Sequence, residues 1–216
     1  ILKFNFSGIN TRNETTTMAS FKREIASSIR VFVERYGLNF YVNEESEPED
    51  ILDNLLKAFF IQKQDKKIYV IIDEYDHFAN ELLGFNTNHF KSLVSKNGQV
   101  RKWYEILKKG TENVVDRIFI TGVAPITLDS LTSGFNISSD KTQDREFNEM
   151  MGFTEKELER LMKEQNLEEE RQKELLPIMR ENYDGYKFSL HGKERIYNSN
   201  MCLYFLNNYI KYNELR

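Results

Sequence analysis

The fold class of this 216-residue chain is indicated most directly by Ile68-Tyr69-Val70-Ile71-Ile72-Asp73-Glu74. Its first five residues form a continuous apolar run, which two lysines precede and two acids follow. A short apolar run without alternation predicts a strand that is buried on both faces, as in a parallel sheet covered by helices. The two acids then stand at the carboxyl end of the strand, where open α/β sheets bind their ligands.

Two similar stretches lie on either side of this strand in the sequence. Residues Ile1 to Phe6 are rich in strand-forming side chains, and Ile118-Phe119-Ile120 is a second short apolar run that ends at Thr121-Gly122. Long segments with apolar residues at helical spacing separate the three stretches. Strands that alternate with helices in this way predict βαβ crossovers and therefore an α/β fold.

Several local signals predict where helices begin and end. A cap among Thr15 to Thr17 starts the first long helix, and Gly37 ends it. Ser46 with Glu49 has the spacing of a capping box, and so does Thr154 with Glu157. Each pair therefore predicts a helix start.

The character of the chain changes after Pro125, where a polar, loop-like stretch begins. Helical spacing returns from Phe153, with Pro177 expected to kink or split one helix and residues 183–186 expected to form a turn. These shifts predict two domains, an α/β core over residues 1–145 and a helical part over residues 146–216.

Composition excludes several classes of protein. The chain has 30 Lys and Arg, 34 Asp and Glu, a formal net charge of −4, and 13% aromatic residues. Disordered chains are poor in aromatics, and nucleic-acid-binding domains carry a basic surface, so neither class is favoured. The single cysteine, Cys202, excludes an intrachain disulfide. The apolar runs are too short to span a membrane, so we expect a protein of the reducing cytoplasm.

An apolar strand that ends in Asp-Glu has the form of a Walker B motif. An aspartate at this position can hold Mg²⁺, usually through water, because Mg²⁺ keeps much of its hydration shell. The following glutamate can orient or deprotonate the water that attacks a γ-phosphate. The alternative is a strand followed by an acidic helix start, with Asp73 as the helix cap, and the spacing alone leaves both interpretations open.

Further stretches make the sequence recognisable, and in this order their combination is specific. The chain resembles the bacterial AAA-ATPase-like family of P-loop proteins over essentially its whole length. The stretches that carry the resemblance are Ile72 to Asp76 with Phe78 and Asn80, Phe119 to Ile126, Leu131 to Ile137, Gly152 to Glu155, Tyr183 to Phe188, and Ile196 to Asn198.

The resemblance implies a P-loop NTPase core of the additional-strand, catalytic-Glu type, with three layers and a small helical lid. Asp73 resembles the Mg²⁺-associated Walker B aspartate, Glu74 the catalytic glutamate, and Thr121 the sensor 1 residue. ATP and Mg²⁺ are the implied cofactors. Members of the family often carry a restriction-endonuclease-like domain, which would lie beyond Arg216 here, and an oligomer is compatible with the resemblance.

Two motifs have no chemistry that the resemblance assigns. Asp76 matches a family motif, but it can equally cap the helix that follows the strand. The loop Ser133-Gly134-Phe135-Asn136 also matches without a known role.

The sequence departs from the family in one respect, because it contains no G-x-x-x-x-G-K-[ST] loop to hold phosphates. In the family this loop lies upstream of the strand that Ile1 to Phe6 resembles, and the chain does not begin with Met. We therefore expect an N-terminally incomplete core with an open sheet edge and no ATP hydrolysis by these residues alone. The alternative function is a non-catalytic regulatory or protein-interaction scaffold.

Overall fold

The computed structural model describes the backbone of residues 1–85, 87–94, 98–123, 135 and 137–212, and their side chains except at 83–85, 87, 89, 93 and 94. The chain divides into two compact units, Ile1–Ser138 and Ser139–Arg216. Each unit has its own hydrophobic core. Most of the Leu131 to Ile137 motif, at residues 131–134 and 136, lies outside the described residues.

The first unit contains a parallel sheet, as the sequence predicted. Its three strands lie in the order β1-β2-β3, with β2 in the centre. Ile72 of the central strand is in register with Phe4 on one side and with Ile120 on the other. The mixed α/β class is therefore confirmed. The elements are β1 (Leu2–Asn5), α1 (Glu14–Tyr36), α2 (Pro48–Gln62), β2 (Ile68–Asp73), α3 (His77–Phe85), α4 (Thr87–Val94), α5 (Gln99–Gly110) and β3 (Val115–Ile120).

The core of this unit lies on one face of the sheet. Phe4 and Ile72 are fully buried there, and the Trp103 ring of α5 packs edge-on against Phe4 with ring centroids 5.0 Å apart. Alternate residues face the other way, and Tyr69 on that face is 39% exposed. The expectation of a strand buried on both faces is wrong for the described part of the chain, because its helices pack against one face of β2.

Two predicted helix starts are also wrong. The N-cap of α1 is Asn13, whose side chain accepts the Thr16 N–H at 2.9 Å, and not one of the three threonines that follow it. In α2 the cap is Glu47, because Pro48 occupies the first helical turn, so Ser46 and its Glu partner do not form a capping box.

The second unit combines three helices with a two-stranded antiparallel sheet. The predicted Thr154–Glu157 capping box is confirmed. One helix runs unbroken through Pro177, and a strand replaces the expected turn because residues 184–186 pair with a second strand ten residues further on. The elements are a short 3-10 helix (Arg145–Phe147), α6 (Glu155–Glu164), α7 (Glu169–Tyr183), β4 (Asp184–Tyr186), β5 (Ile196–Tyr197) and α8 (Ser199–Tyr212).

Across the described residues, no helix combines the length and the apolar character that crossing a membrane requires.

Candidate functional site

Two of the three predicted site residues meet where neighbouring strands end. The Thr121 N–H donates to the Ile72 carbonyl at 2.8 Å, which extends the pairing of β2 and β3 by one residue. The Thr121 hydroxyl donates to Asp73 Oδ1 at 2.6 Å. These residues are 48 positions apart in sequence, and they meet because the carboxyl ends of adjacent parallel strands share one edge of the sheet.

The Asp73 carboxylate is fixed on one side and accessible on the other. Its Oδ1 is held by Thr121, and its Oδ2 lies 3.9 Å from Lys3 Nζ on β1. The Asp73 side chain is 38% exposed and that of Lys3 is 60% exposed, so the ion pair is a weak surface contact. The arrangement presents an oriented carboxylate to solvent, on the face of the sheet that the described helices leave open.

Glu74 follows in a conformation that non-glycine residues rarely adopt. Its φ is +52°, in the left-handed region, which costs a residue with a Cβ roughly 1 kcal/mol. Its carbonyl accepts the His77 N–H at 3.2 Å, and α3 begins at that residue. The side chain is half-buried. Backbone strain of this kind is found preferentially at functional sites.

Sequence reasoning missed the tertiary role of Asp76. This residue directly precedes α3, as the cap interpretation requires, but its carboxylate is fully buried and accepts the Val123 N–H beyond β3. The Asp76 and Val123 positions are 47 residues apart. The match of Asp76 to a family motif was the one sequence signal that pointed to it.

Tyr104 of α5 lies on the buried side of this region. Burial raises the pKa of its phenol far above the ordinary value, and the neighbouring Tyr75 and Asp76 add to that shift. The hydroxyl has no hydrogen-bond partner among the described residues. Tyr104 therefore stays neutral and contributes an apolar wall, and its ring packs edge-on against that of Phe135.

The donor set at this edge suits Mg²⁺ in one respect. No group of three or more His, Cys, Asp or Glu side chains in the described part of the chain is arranged to hold a metal. Mg²⁺ is usually bound through one or two carboxylates, with waters and phosphate oxygens completing its coordination. Asp73 fits the role of such a carboxylate, whereas the sequence contains no G-x-x-x-x-G-K-[ST] motif for the phosphates.

Comparison with known proteins assigns a family. A family model described as "Predicted AAA-ATPase" matches residues 1–132, a stretch that includes all of the strand-end residues described above. No curated protein and no solved structure gives a significant match. Since the matched stretch is more than half of the chain, the chain belongs to the AAA-ATPase-like family.

Proposed function

We propose that this chain is the core of an ATPase, and that the edge formed by the ends of β2 and β3 carries its hydrolytic groups. The observation that supports this most directly is the 2.6 Å hydrogen bond from the Thr121 hydroxyl to Asp73 Oδ1. It joins the two polar residues that would face a bound γ-phosphate and its metal. Membership of the family supports ATP as the substrate.

Each of the three residues has a distinct role in the proposal. Asp73 would hold Mg²⁺, and the hydroxyl of Thr121 fixes the orientation of its carboxylate. Bound Mg²⁺ would neutralise charge on the phosphates. Glu74 accepts a proton from the attacking water and aligns that water with the phosphorus. Because the Thr121 hydroxyl donates its proton to Asp73, it meets the attacking water as an acceptor, and through this contact β3 responds to the state of the nucleotide.

Three finer parts of the proposal come from the family resemblance. The first unit is part of a P-loop core of the catalytic-Glu type, with the Walker B position at Asp73. The second unit acts as a small lid whose position depends on bound nucleotide. A nuclease-like effector domain is the expected partner in the complete protein.

The decisive experiment measures ATP turnover by the full-length protein and by its Glu74→Gln variant. We expect Mg²⁺-dependent hydrolysis in the wild type and a loss of at least about 100-fold in kcat in the variant, because a neutral amide cannot accept the proton. The variant should still bind ATP and should hold it for longer than the wild type does.

Asp116→Asn is the matched control for Glu74→Gln. It also neutralises an acid, but Asp116 lies near the amino end of β3 and is 61% exposed. Its turnover should equal that of the wild type. Unchanged turnover in Glu74→Gln would remove Glu74 as the base, and a wild type that neither binds nor hydrolyses ATP would support the scaffold interpretation instead.

A further inference from the structure

Asp76 is a fully buried aspartate whose carboxylate holds a loop in place. Both of its oxygens accept the Val123 N–H, at 3.1 and 3.0 Å, and Oδ2 also accepts from the Asn80 side-chain amide at 2.8 Å. Burying a carboxylate is costly unless its oxygens are hydrogen-bonded. The native position of Val123 is therefore tied to the position of Asp76.

The side chain of Val123 does not anchor residues 121–123, the segment that follows β3. It is 89% exposed, so apolar packing contributes little to holding the residue that carries it. The backbone of this segment makes the contacts instead, since the Tyr75 N–H donates to the Thr121 carbonyl at 3.1 Å. The segment that follows β3 is thus held against the segment that follows β2 by hydrogen bonds, and one of them is the bifurcated bond from the Val123 N–H to both oxygens of Asp76.

Gly122 shows how closely the two segments approach. A Cβ at this position would overlap Asp76 Oδ1 and the Tyr75 ring. Only a residue without a side chain allows the approach, so the contact between the two segments depends on Gly122 as well as on Asp76.

The place of this contact in the chain gives it a functional meaning. Asp76 lies two residues after Glu74, and Val123 lies two residues after Thr121. A shift of either segment would change the distance between the proposed base and the sensor hydroxyl. Displacements of about 1 Å at catalytic groups can lower rates by about 100-fold.

We propose that Asp76 is a positioning residue that sets the separation of Glu74 and Thr121 for ATP hydrolysis. This inference rests on the function proposed above. Asp76 acts through hydrogen bonds to backbone and amide groups, and its side chain is fully buried. It should therefore control the hydrolytic step and leave nucleotide binding almost unchanged.

The test compares Asp76→Ala with Asp76→Asn in the full-length protein. Alanine removes every acceptor, so we expect kcat to fall by about 100-fold while KM stays within about twofold of the wild type. Asparagine keeps an acceptor for the Val123 N–H, and its amide can donate to Asn80 once the Asn80 amide is turned over. We therefore expect Asp76→Asn to recover most of the lost kcat.

Gly122→Ala keeps the test decisive if Asp76→Ala fails to fold. It disturbs the same contact from the loop side and should also lower kcat with little change in KM. Wild-type kcat in both alanine variants would overturn the proposal. So would an Asp76→Asn variant as inactive as Asp76→Ala, since Asp76 would then act through its charge, and so would a rise in KM that accounts for the lost activity.

Amide hydrogen exchange at Val123 separates this inference from the ATPase function. If Asp76 holds the loop, exchange at Val123 is faster in Asp76→Ala and close to wild-type in Asp76→Asn, whether or not ATP is hydrolysed. Unchanged exchange in Asp76→Ala overturns the contact itself. A wild type without ATPase activity, with the expected exchange pattern, contradicts the proposed function and leaves the contact between the segments standing.

Discussion

The left-handed conformation of Glu74 allows its stability and its chemistry to be separated by mutation. At φ +52° a residue without a Cβ is unstrained, whereas a β-branched residue is strained most. We expect the free energy of unfolding of Glu74→Gly to lie within about 1 kcal/mol of the wild-type value, because relief of strain offsets the greater freedom of glycine in the unfolded chain. Glu74→Val should be less stable than Glu74→Gly, and neither should hydrolyse ATP.

The same two substitutions at Glu81 provide the control. Glu81 lies within α3, where glycine costs about 1 kcal/mol and valine costs less. The order of stability should therefore reverse, with the valine variant the more stable. Urea unfolding of all four variants gives the comparison. If Glu74→Val is as stable as Glu74→Gly, position 74 is not strained in solution.

Sequence reasoning at the scale of single residues succeeded where a strand end fixes a position. Asp73 and Thr121 were both predicted at the carboxyl ends of strands, and the structure joins them by a hydrogen bond. The backbone conformation of Glu74 and the contact from Asp76 to Val123 were not predicted. Both depend on the path of the chain after β2 and β3, and no periodic pattern in the sequence encodes that path.

Helix starts show why a local motif needs its exact register. Thr154 and Glu157 form the predicted capping box because the helix begins at the next residue, Glu155. The Ser46–Glu49 pair has the same spacing, but Pro48 is favoured in the first helical turn and moves the cap to Glu47. Proline is therefore the stronger signal, since a proline in the first helical turn predicts the helix start that the structure has.

The start of α6 is tied to α7 by a carboxylate that responds to pH. Arg180 donates to both oxygens of Glu155, at 2.6 Å from Nη2, and Tyr197 donates to Oε2 at 2.8 Å. These hydrogen bonds, with that from Arg180 the largest cause, hold the pKa of Glu155 below its ordinary value of 4.5. The stabilisation is complete above that value, and it is lost as the pH falls through the lower pKa of the folded state.

Arg180→Ala should therefore destabilise the second unit in a pH-dependent way. We expect its melting temperature to lie a few degrees below that of the wild type near neutral pH, and the difference to shrink as the pH falls below 4.5. Thermal unfolding followed by circular dichroism, once near neutral pH and once below pH 4.5, measures this difference. Arg160→Ala, which breaks an exposed ion pair within α6, is the control and should change the melting temperature little. A constant difference for Arg180→Ala at all pH values would contradict the role of Glu155.

At the scale of the whole molecule, the order of elements was predictable and the coverage of the sheet was not. Three apolar stretches separated by helical segments predicted a parallel α/β sheet, and the structure has it. The open face of β2 was missed because Tyr69 and Ile71 are apolar whether or not a helix covers them. Apolar character shows that a strand can be buried, and only the tertiary structure shows which of its faces is covered.

The printed sequence contains no G-x-x-x-x-G-K-[ST] motif, and this leads to a prediction for a polypeptide limited to residues 1–216. In proteins that have this motif, its glycine-rich loop and the helix N-terminus that follows supply most of the contacts to the nucleotide phosphates. The Asp73 carboxylate alone offers one ligand for Mg²⁺. We therefore expect Mg²⁺-ATP to bind with a Kd of roughly 1 mM or weaker, which corresponds to a binding free energy of about −4 kcal/mol or one that is less favourable.

Isothermal titration calorimetry of this polypeptide and of its Asp73→Asn variant measures the contribution of the Asp73 carboxylate. Micromolar binding by the wild-type polypeptide would show that these residues hold phosphates by another arrangement, and loss of that binding in Asp73→Asn would locate it at the end of β2.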